Sequence, residues 1–365
     1  MKLNKYKLGD LITQRREKYS GGDLPICGVT REGFIPPKQK DADISLYNVF
    51  YRKDFVFNPA RMELNSIVFN DKYEKAICSS LYEMFYVSRE DLIMPEFLAL
   101  IVKQDSFTRF CEFIGSGSAR EYCRVANISE LIVEFPDLQA QEQIVRQYKV
   151  LEERIALKKQ INDNLLATTQ ALYKSWFVDF EPFDGVCPQN WCNGCVDDIA
   201  EFYDSMRKPL SSSERAGMER LYPYYGAVSI VDYVDDFIFD GEYLLVSEDG
   251  IYVVDENGHP LLQHITGKFW ANNHAHILKG KAGFNEDSLY LFLANTNMAP
   301  IVTGAAQPKI NQANLKSFPI TIPTSEVIEK FNALIQPFFD QRLSNAAEVK
   351  KLENLKDLLL SRLVN

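Results

Sequence analysis

The chain carries two copies of one of its own stretches. GSAREYCRVANISELIVEFP, residues 117–136, and GAAQPKINQANLKSFPITIP, residues 304–323, align at an offset of 187, with Gly117 opposite Gly304, Asn127 opposite Asn314 and Pro136 opposite Pro323. Such a repeat within 365 residues limits the fold more than composition does, because it demands two like units in tandem. Each copy sets small residues and asparagine ahead of an apolar strand that a proline ends. Two readings of the small residues stand: a plain turn, since Gly and Asn are common turn formers, or a close approach of the backbone by something else.

The match continues into two segments of helical periodicity, 138–180 and 325–365. A 3-4 spacing from Ile144 reaches Tyr148, Leu151, Ile155, Lys158, Asn162, Leu165, Thr169, Leu172 and Trp176. Adding 187 gives Phe331, Ile335, Phe338, Arg342, Asn345, Val349, Leu352, Lys356, Leu359 and Leu363. A seam sustained over so many turns is that of helices packed along their length. The polar breaks at Lys158, Asn162, Arg342 and Asn345 either set register or sit on solvated edges. Helices of some 40 residues run roughly 60 Å, too long for one small domain to wrap. The simplest arrangement is an antiparallel pair acting as a spacer between two globular segments related by a pseudo-two-fold axis.

Those segments, 1–137 and 181–324, share landmarks. LGDLI (8–12) recurs as VDDIA (196–200), and LPICGV (24–29) as YPYYGA (222–227). Short apolar runs separated by Gly, Asn and Asp read as strands at 65–70, 81–87, 242–250 and 274–280. Residues 94–114 and 286–302 read as helical. The expected fold class is therefore α+β, as two tandem domains joined by an antiparallel coiled coil.

Residues that carry chemistry are scarce. Gly267-Lys268 and Gly280-Lys281 lack the upstream glycine of a phosphate loop, and GSGSAR (115–120) leads into a segment that reads as extended, against a dinucleotide site. Pro36-Pro37, between Ile35 and Lys38, is the wrong context for an adenine methyltransferase signature. Cys187, Cys192 and Cys195 are one ligand short of a structural zinc site, and His274 with His276 offer half of a metal site. There is no nucleophile elbow. The expectation is no catalytic residue and no metal. The odd count of 7 cysteines fits reduced thiols. No run of roughly 18 apolar residues is present and the N-terminus does not read as a signal peptide, so a cytoplasmic protein with no membrane partner is expected. A net charge of −10 argues against gripping nucleic acid by bulk electrostatics; any DNA role needs local basic patches or a more basic partner.

Taken together, GSAREYCRVANI, GAAQPKINQANL, FNPARMELNSIVFN (57–70) and LLATTQALYKSWFVDFEPF (165–183) resemble the DNA-specificity subunit of type I restriction-modification enzymes. The resemblance spans the whole chain. It implies two target-recognition domains, each reading half of a bipartite double-stranded DNA target, and helices that also dock two modification (methyltransferase) subunits. It implies a subunit without activity of its own and without a cofactor: S-adenosylmethionine for N6-adenine methylation, and ATP and Mg for cleavage with restriction/translocase subunits, belong to the partners. Side chains suited to groove edges or phosphate are then Arg31, Arg61 and Arg120 in the first domain and Tyr224, Tyr225, Gln307, Lys309 and Asn311 in the second. Leu165, Leu172, Trp176, Leu352, Leu359 and Leu363 are expected to pack the helices. Two other classes stay open: a non-catalytic scaffold whose tandem domains bind proteins, and a hidden nuclease or methyltransferase.

Overall fold

A computed structural model of the chain describes residues 3–37, 43–115, 122–250, 253–304 and 306–363. It divides into two compact units, one of Met1–Leu157 with Glu348–Asn365 and one of Lys158–Ala347. These differ from the four segments expected from sequence. The apolar stripe of a long helix has to be covered, so each unit includes a stretch of both long helices.

The first unit contains β1 (Asn4–Lys7), β2 (Ile12–Gln14), β3 (Ile26–Thr30), β4 (Gly33–Ile35), β5 (Asn48–Tyr51), β6 (Phe55–Phe57), β7 (Ile67–Phe69), β8 (Lys75–Cys78), β9 (Glu83–Val87) and β10 (Ile132–Phe135). Its helices are α1 (Pro95–Val102), α2 (Asp105–Gly115), α3 (Val125–Ser129) and the first half of α4 (Leu138–Phe177). The strands form sheets ordered β2-β9-β6-β7 and β4-β3-β8-β5, plus the pair β1-β10. All three residues of β6 are buried, and Phe55 stacks on Phe85 of β9 at 4.9 Å between centroids. Burying side chains of this size contributes about 1.5–3 kcal/mol each, and Phe57, Phe97, Phe107 and Phe135 continue the same core. The expected helix at 94–114 breaks at Lys103 and Gln104, where Gln104 Nε2 donates to Leu360 O at 2.8 Å.

The second unit holds β11 (Cys192–Cys195), β12 (Ala200–Phe202), β13 (Tyr222–Tyr225), β14 (Ile230–Val234), β15 (Phe239–Ser247), β16 (Leu262–Ala271), β17 (Ala275–Gly280) and β18 (Pro319–Ile322). Its helices are α5 (Val196–Ile199), α6 (Ser212–Arg215), α7 (Glu286–Ala294), α8 (Gln312–Lys316) and most of α9 (Ser325–Ser361). Six strands run in the order β12-β17-β15-β16-β13-β14, and β11 pairs with β18.

The repeat is now visible as backbone. The pairs α3/α8, β10/β18 and α4/α9 each begin 187 residues apart, as subtraction of their first residues (125 and 312, 132 and 319, 138 and 325) shows. The pair β1-β10 has Asn4 opposite Phe135, and β11-β18 has Cys192 opposite Ile322. Deeper in, β3 lies parallel to β8 through Ile26 and Ile77, and β13 lies parallel to β16 through Tyr224 and Trp270. The motif contains one element absent from the sequence reading: a five-residue helix, α3 or α8, sits between the turn and the strand.

Within each unit the two long helices run antiparallel. In the first, Leu151 and Ile155 pack on Val349 and Leu352, Arg154 pairs with Glu348, and Leu359 and Leu363 join Tyr148 in the main core. In the second, Leu172, Tyr173, Trp176 and Phe177 meet Ile328, Phe331, Ile335 and Phe339, with Trp176 and Phe331 5.5 Å apart. Leu165 is half-buried. The seam departs from its expected phase at Phe338, which is half-buried while Phe339 is 2% exposed. A 3.6-residue turn drifts from a 3.5-residue repeat, and Ile335 is followed by a four-residue step to Phe339.

The polar breaks meet around one buried residue, with Lys158, Asn162 and Arg342 half-buried about it. Asn345 is 1% exposed; its Oδ1 accepts from Lys158 Nζ at 2.9 Å and from Gln341 Nε2 at 2.9 Å, while its Nδ2 donates to Asn162 Oδ1 at 2.9 Å. Asn162 in turn donates to Arg342 O at 3.0 Å. A shift of one helix against the other would break the bonds that converge on buried Asn345, so the node fixes register. That decides between the two readings of the breaks.

Candidate nucleic-acid interface

The turn that opens the second motif is a closed hairpin. Thr303 and Lys309 exchange both backbone hydrogen bonds at 2.8 Å, and Lys309 also bridges Asp249. Gly304 takes φ +85°, and a Cβ there would stand 2.3 Å from Gln307 O. The turn's own backbone thus demands the small residue.

Beneath the turn lies a buried ionic network. His276, on β17 and 0% exposed, has Nδ1 2.6 Å from Asp204 Oδ2 and Nε2 2.8 Å from Ile310 O. Both ring nitrogens face oxygen atoms, one of a carboxylate and one of a backbone carbonyl. Asp204 also accepts from Gln312 Nε2 at 2.8 Å and from Ile277 N at 2.9 Å. Burial works to raise the pKa of Asp204, but the bonds from His276 and Ile277 and the Arg207 charge outweigh it and hold the carboxyl below its usual range. Glu248 is held low in the same way: burial is outweighed by Arg207 at 2.5 Å and Lys309 at 2.9 Å. Asp204, Glu248 and His276 are close enough together to hold a metal ion. The Arg207 and Lys309 cations already occupy that place, so the set is a salt network that clamps the 303–312 segment onto the sheet.

The proposed contact residues distribute unevenly over this frame. Gln307 is exposed at the hairpin tip. Lys309 is half-exposed and paired with Glu248. Asn311 caps α8, its side chain accepting from Asn314 N at 2.8 Å. Tyr225 is half-buried, its ring edge-on to Phe269 at 5.6 Å, and burial pushes its hydroxyl pKa up. Tyr224 is a correction. It is 2% exposed, its Oη accepts from Leu210 N at 2.9 Å, and Arg215 lies over its ring at 4.8 Å. A tyrosine so enclosed is a core residue and not a phosphate ligand.

In the first unit Arg120 lies outside the described residues, together with most of its turn. Arg31 is exposed at the β3–β4 turn and borders a hollow with Lys103, Arg109 and Asp357. Arg61 is exposed and lines a different groove with Gly28, Thr30, Pro37 and Tyr82. The two arginines do not share a site. The equivalent of Asn311 is Arg124, whose Nη1 lies 3.6 Å from Glu83 Oε1, while Glu83 Oε2 accepts from Val125 N at 2.7 Å.

Sequence reasoning missed Asp204, Arg207 and Glu248, because they come together only through β15, β17 and the hairpin; the Asp204–Arg207 spacing was their only local signal. The expected histidine pair also separates. His274 is part-exposed against Asp249 at 2.5 Å, whereas His276 is enclosed. Cys187 and Cys192 are exposed free thiols, and Cys195 precedes α5 with Sγ 3.2 Å from Asp198 Oδ2.

Comparison with known proteins bears on the paired motif directly. The family model described as type I restriction modification DNA specificity domain matches the chain twice, over residues 3–167 and 188–354. The chain belongs to this family. Each match takes in one motif, the strand that follows it and the start of a long helix. Among relatives of the specificity family, a putative type I restriction enzyme specificity subunit from Haemophilus influenzae is 37% identical over 143 residues, 38% of this chain and 36% of the relative. The MjaIX specificity subunit of Methanocaldococcus jannaschii is 22% identical over 300 residues, 75% of this chain and 69% of the relative. The chain thus spans about a third of the first relative and over two thirds of the second. The same fold appears in the crystal structure of an S subunit from M. genitalium, with TM-score 0.61 and 14% identity over 100% of this chain and 96% of that one. Both matched stretches are thus copies of the family's DNA specificity domain. Among the described residues no helix is long and apolar enough to cross a membrane.

Proposed function

We propose that the chain reads a bipartite, gapped double-stranded DNA target, one half-site per target-recognition domain, and docks two methyltransferase subunits that methylate N6 of adenine. One observation carries this reading: the specificity-domain model matches twice, and the helix–strand–long-helix motif of each match repeats at a constant offset. The hairpin 303–309 presents Gln307 and Lys309 from a rigid base, as a reader of base edges requires. Arg61 and Arg31 supply cations in the first domain. Differences between the copies, Arg124 against Asn311 among them, fit two unlike half-sites.

Docking is supported by the helices themselves. On the helix pair of the first unit Val150 is 54% exposed, Leu157 56%, Leu355 52% and Leu358 45%, a strip of apolar surface of the kind that marks protein interfaces. S-adenosylmethionine would be held by those partners, and ATP and Mg by restriction/translocase subunits. Partner basic surface would offset the acidity of this chain.

The test is to co-express the chain with its methyltransferase partners in a methylation-free host and map N6-methyladenine by single-molecule sequencing. A gapped two-part motif is the expected result. An intact complex that leaves the genome unmethylated would overturn the reading in favour of a protein scaffold.

A further inference from the structure

A second acid–histidine cluster lies in the same unit as the Asp204 network and is built the opposite way. Glu242 on β15 and His264 on β16 are diagonal neighbours on one sheet face, since Glu242 lies opposite Thr266 and Leu244 opposite His264. Asp287 enters from the first turn of α7. His264 Nε2 is 2.6 Å from Glu242 Oε1, and His264 Nδ1 faces Asp287 Oδ1 at 3.5 Å, beyond hydrogen-bond reach. Tyr290 and Phe339 flank the imidazole at 6.4 and 5.9 Å.

Asp287 is 2% exposed and its Oδ1 has no hydrogen-bond partner. An acid in the first turn of a helix is favourable in itself, but that does not explain one buried with an oxygen unpaired, which costs free energy. The ion pairs of Glu242 and Asp287 run to His264, whereas Arg207 and Lys309 fill the other cluster. Glu286 and Asp340 add negative charge nearby, and burial pushes the Asp287 carboxyl up to about 7.

The distances suit a cation. One ligand atom from each of Glu242, His264 and Asp287 can be chosen so that all lie within 4.8 Å of one another. Ligands about 2.0–2.1 Å from a tetrahedral zinc stand roughly 3.4 Å apart, close to the gap between Nδ1 and Oδ1. The bond from Nε2 to Glu242 fixes the ring with Nδ1 open toward Asp287, the outer-shell arrangement of metal-bound histidine.

We propose that His264 Nδ1 and Asp287 Oδ1 bind one divalent zinc-class cation, with Glu242 orienting the imidazole and solvent completing the shell. The ion ties α7 to the β15–β16 sheet in the second recognition domain. Because Cys187, Cys192 and Cys195 also attract zinc, the test uses the full chain with all three changed to serine, stripped with chelator and titrated with Zn²⁺ against a competing fluorescent chelator. One equivalent is expected, absent in His264→Gln and in Asp287→Asn and weakened roughly tenfold in Glu242→Gln, the lower end of outer-shell effects. Thermal melts at pH 8 keep the test independent of folding yield: Zn²⁺ should raise the midpoint of the parent and leave Asp287→Asn unmoved. Equal zinc uptake by parent and Asp287→Asn, or an equal thermal shift, would overturn the proposal.

Discussion

Glu83 and His276 occupy the same place in the two units and play opposite hydrogen-bonding parts, one accepting and one donating. Ile12 pairs with Val87 and Ala200 with Gly280; Ile12 and Ala200 are repeat mates, so counting back four residues along β9 and β17 makes Glu83 the mate of His276. Each lies under the short helix of its motif. Glu83 accepts from the helix amide of Val125 and faces Arg124, whereas His276 donates to Ile310 O and anchors Asp204. The skeleton tolerates an acceptor or a donor here because the motif's start exposes both unpaired N–H groups and a carbonyl. The difference lies in burial: the Glu83 side chain is 15% exposed and its Arg124 partner 64%, while His276 is fully enclosed. Two units of one design therefore depend on their ion pairs to different degrees.

The comparison breaks hardest at His276. His276→Leu should cost about 3–5 kcal/mol, the penalty for stranding a buried charge, read by urea unfolding of the second unit. Acid should reach the same network in the unaltered chain. Asp204 and Glu248 have folded pKa values below their unfolded ones, so their contribution is complete above about pH 4–5 and fades as pH falls through the folded values. Asp54 in the first unit is shifted upward by burial in spite of Arg15, so it adds no such loss in acid. Acid titration followed by the fluorescence of Trp176, Trp191 and Trp270, all in the second unit, should therefore show a larger loss of stability in acid for the parent than for a chain lacking the network's carboxylates; an equal loss would end the distinction.

The helix node gives the next effect. Asn345→Ala removes the side chain on which the bonds from Lys158 and Gln341 and to Asn162 converge and should cost about 1–3 kcal/mol, measured by thermal melting. Asn311→Ala removes the cap of α8 and should cost about 1 kcal/mol. Glu83→Gln keeps an acceptor for Val125 and loses only a 3.6 Å charge pair whose arginine is 64% exposed, so less than about 1 kcal/mol is expected. If Glu83→Gln proved as damaging as His276→Leu, the contrast in burial would not be what separates the units.

Much of the frame was legible because it repeats. A constant offset located β10 and β18 and the two long helices, and the 3-4 periodicity found most of the seam, down to the polar node at Asn345. The motif helices were missed because five residues give less than two turns of periodicity. Tyr224 was misjudged for a related reason. In YPYY nothing local reveals that β13 will lie parallel to β16 and turn that ring inward against Trp270. The clamp of Asp204, Arg207, Glu248 and His276 spans 72 positions, and the Glu242–His264–Asp287 set joins two strands and a helix. Contacts of that range follow from topology, which no spacing rule encodes.

The first unit is not contiguous in the chain. Its core includes Leu363, and Gln104 donates to Leu360 O, yet the unit's later piece begins at Glu348, 191 residues after Leu157 (348 minus 157). At about 5–20 residues per second of synthesis, roughly 10–40 s pass on the ribosome between the two pieces. The second unit, a single stretch, is finished first, and the N-terminal one waits with its seam uncovered. A nascent chain halted before residue 348 should hence release a second unit that resists protease and a first unit that does not.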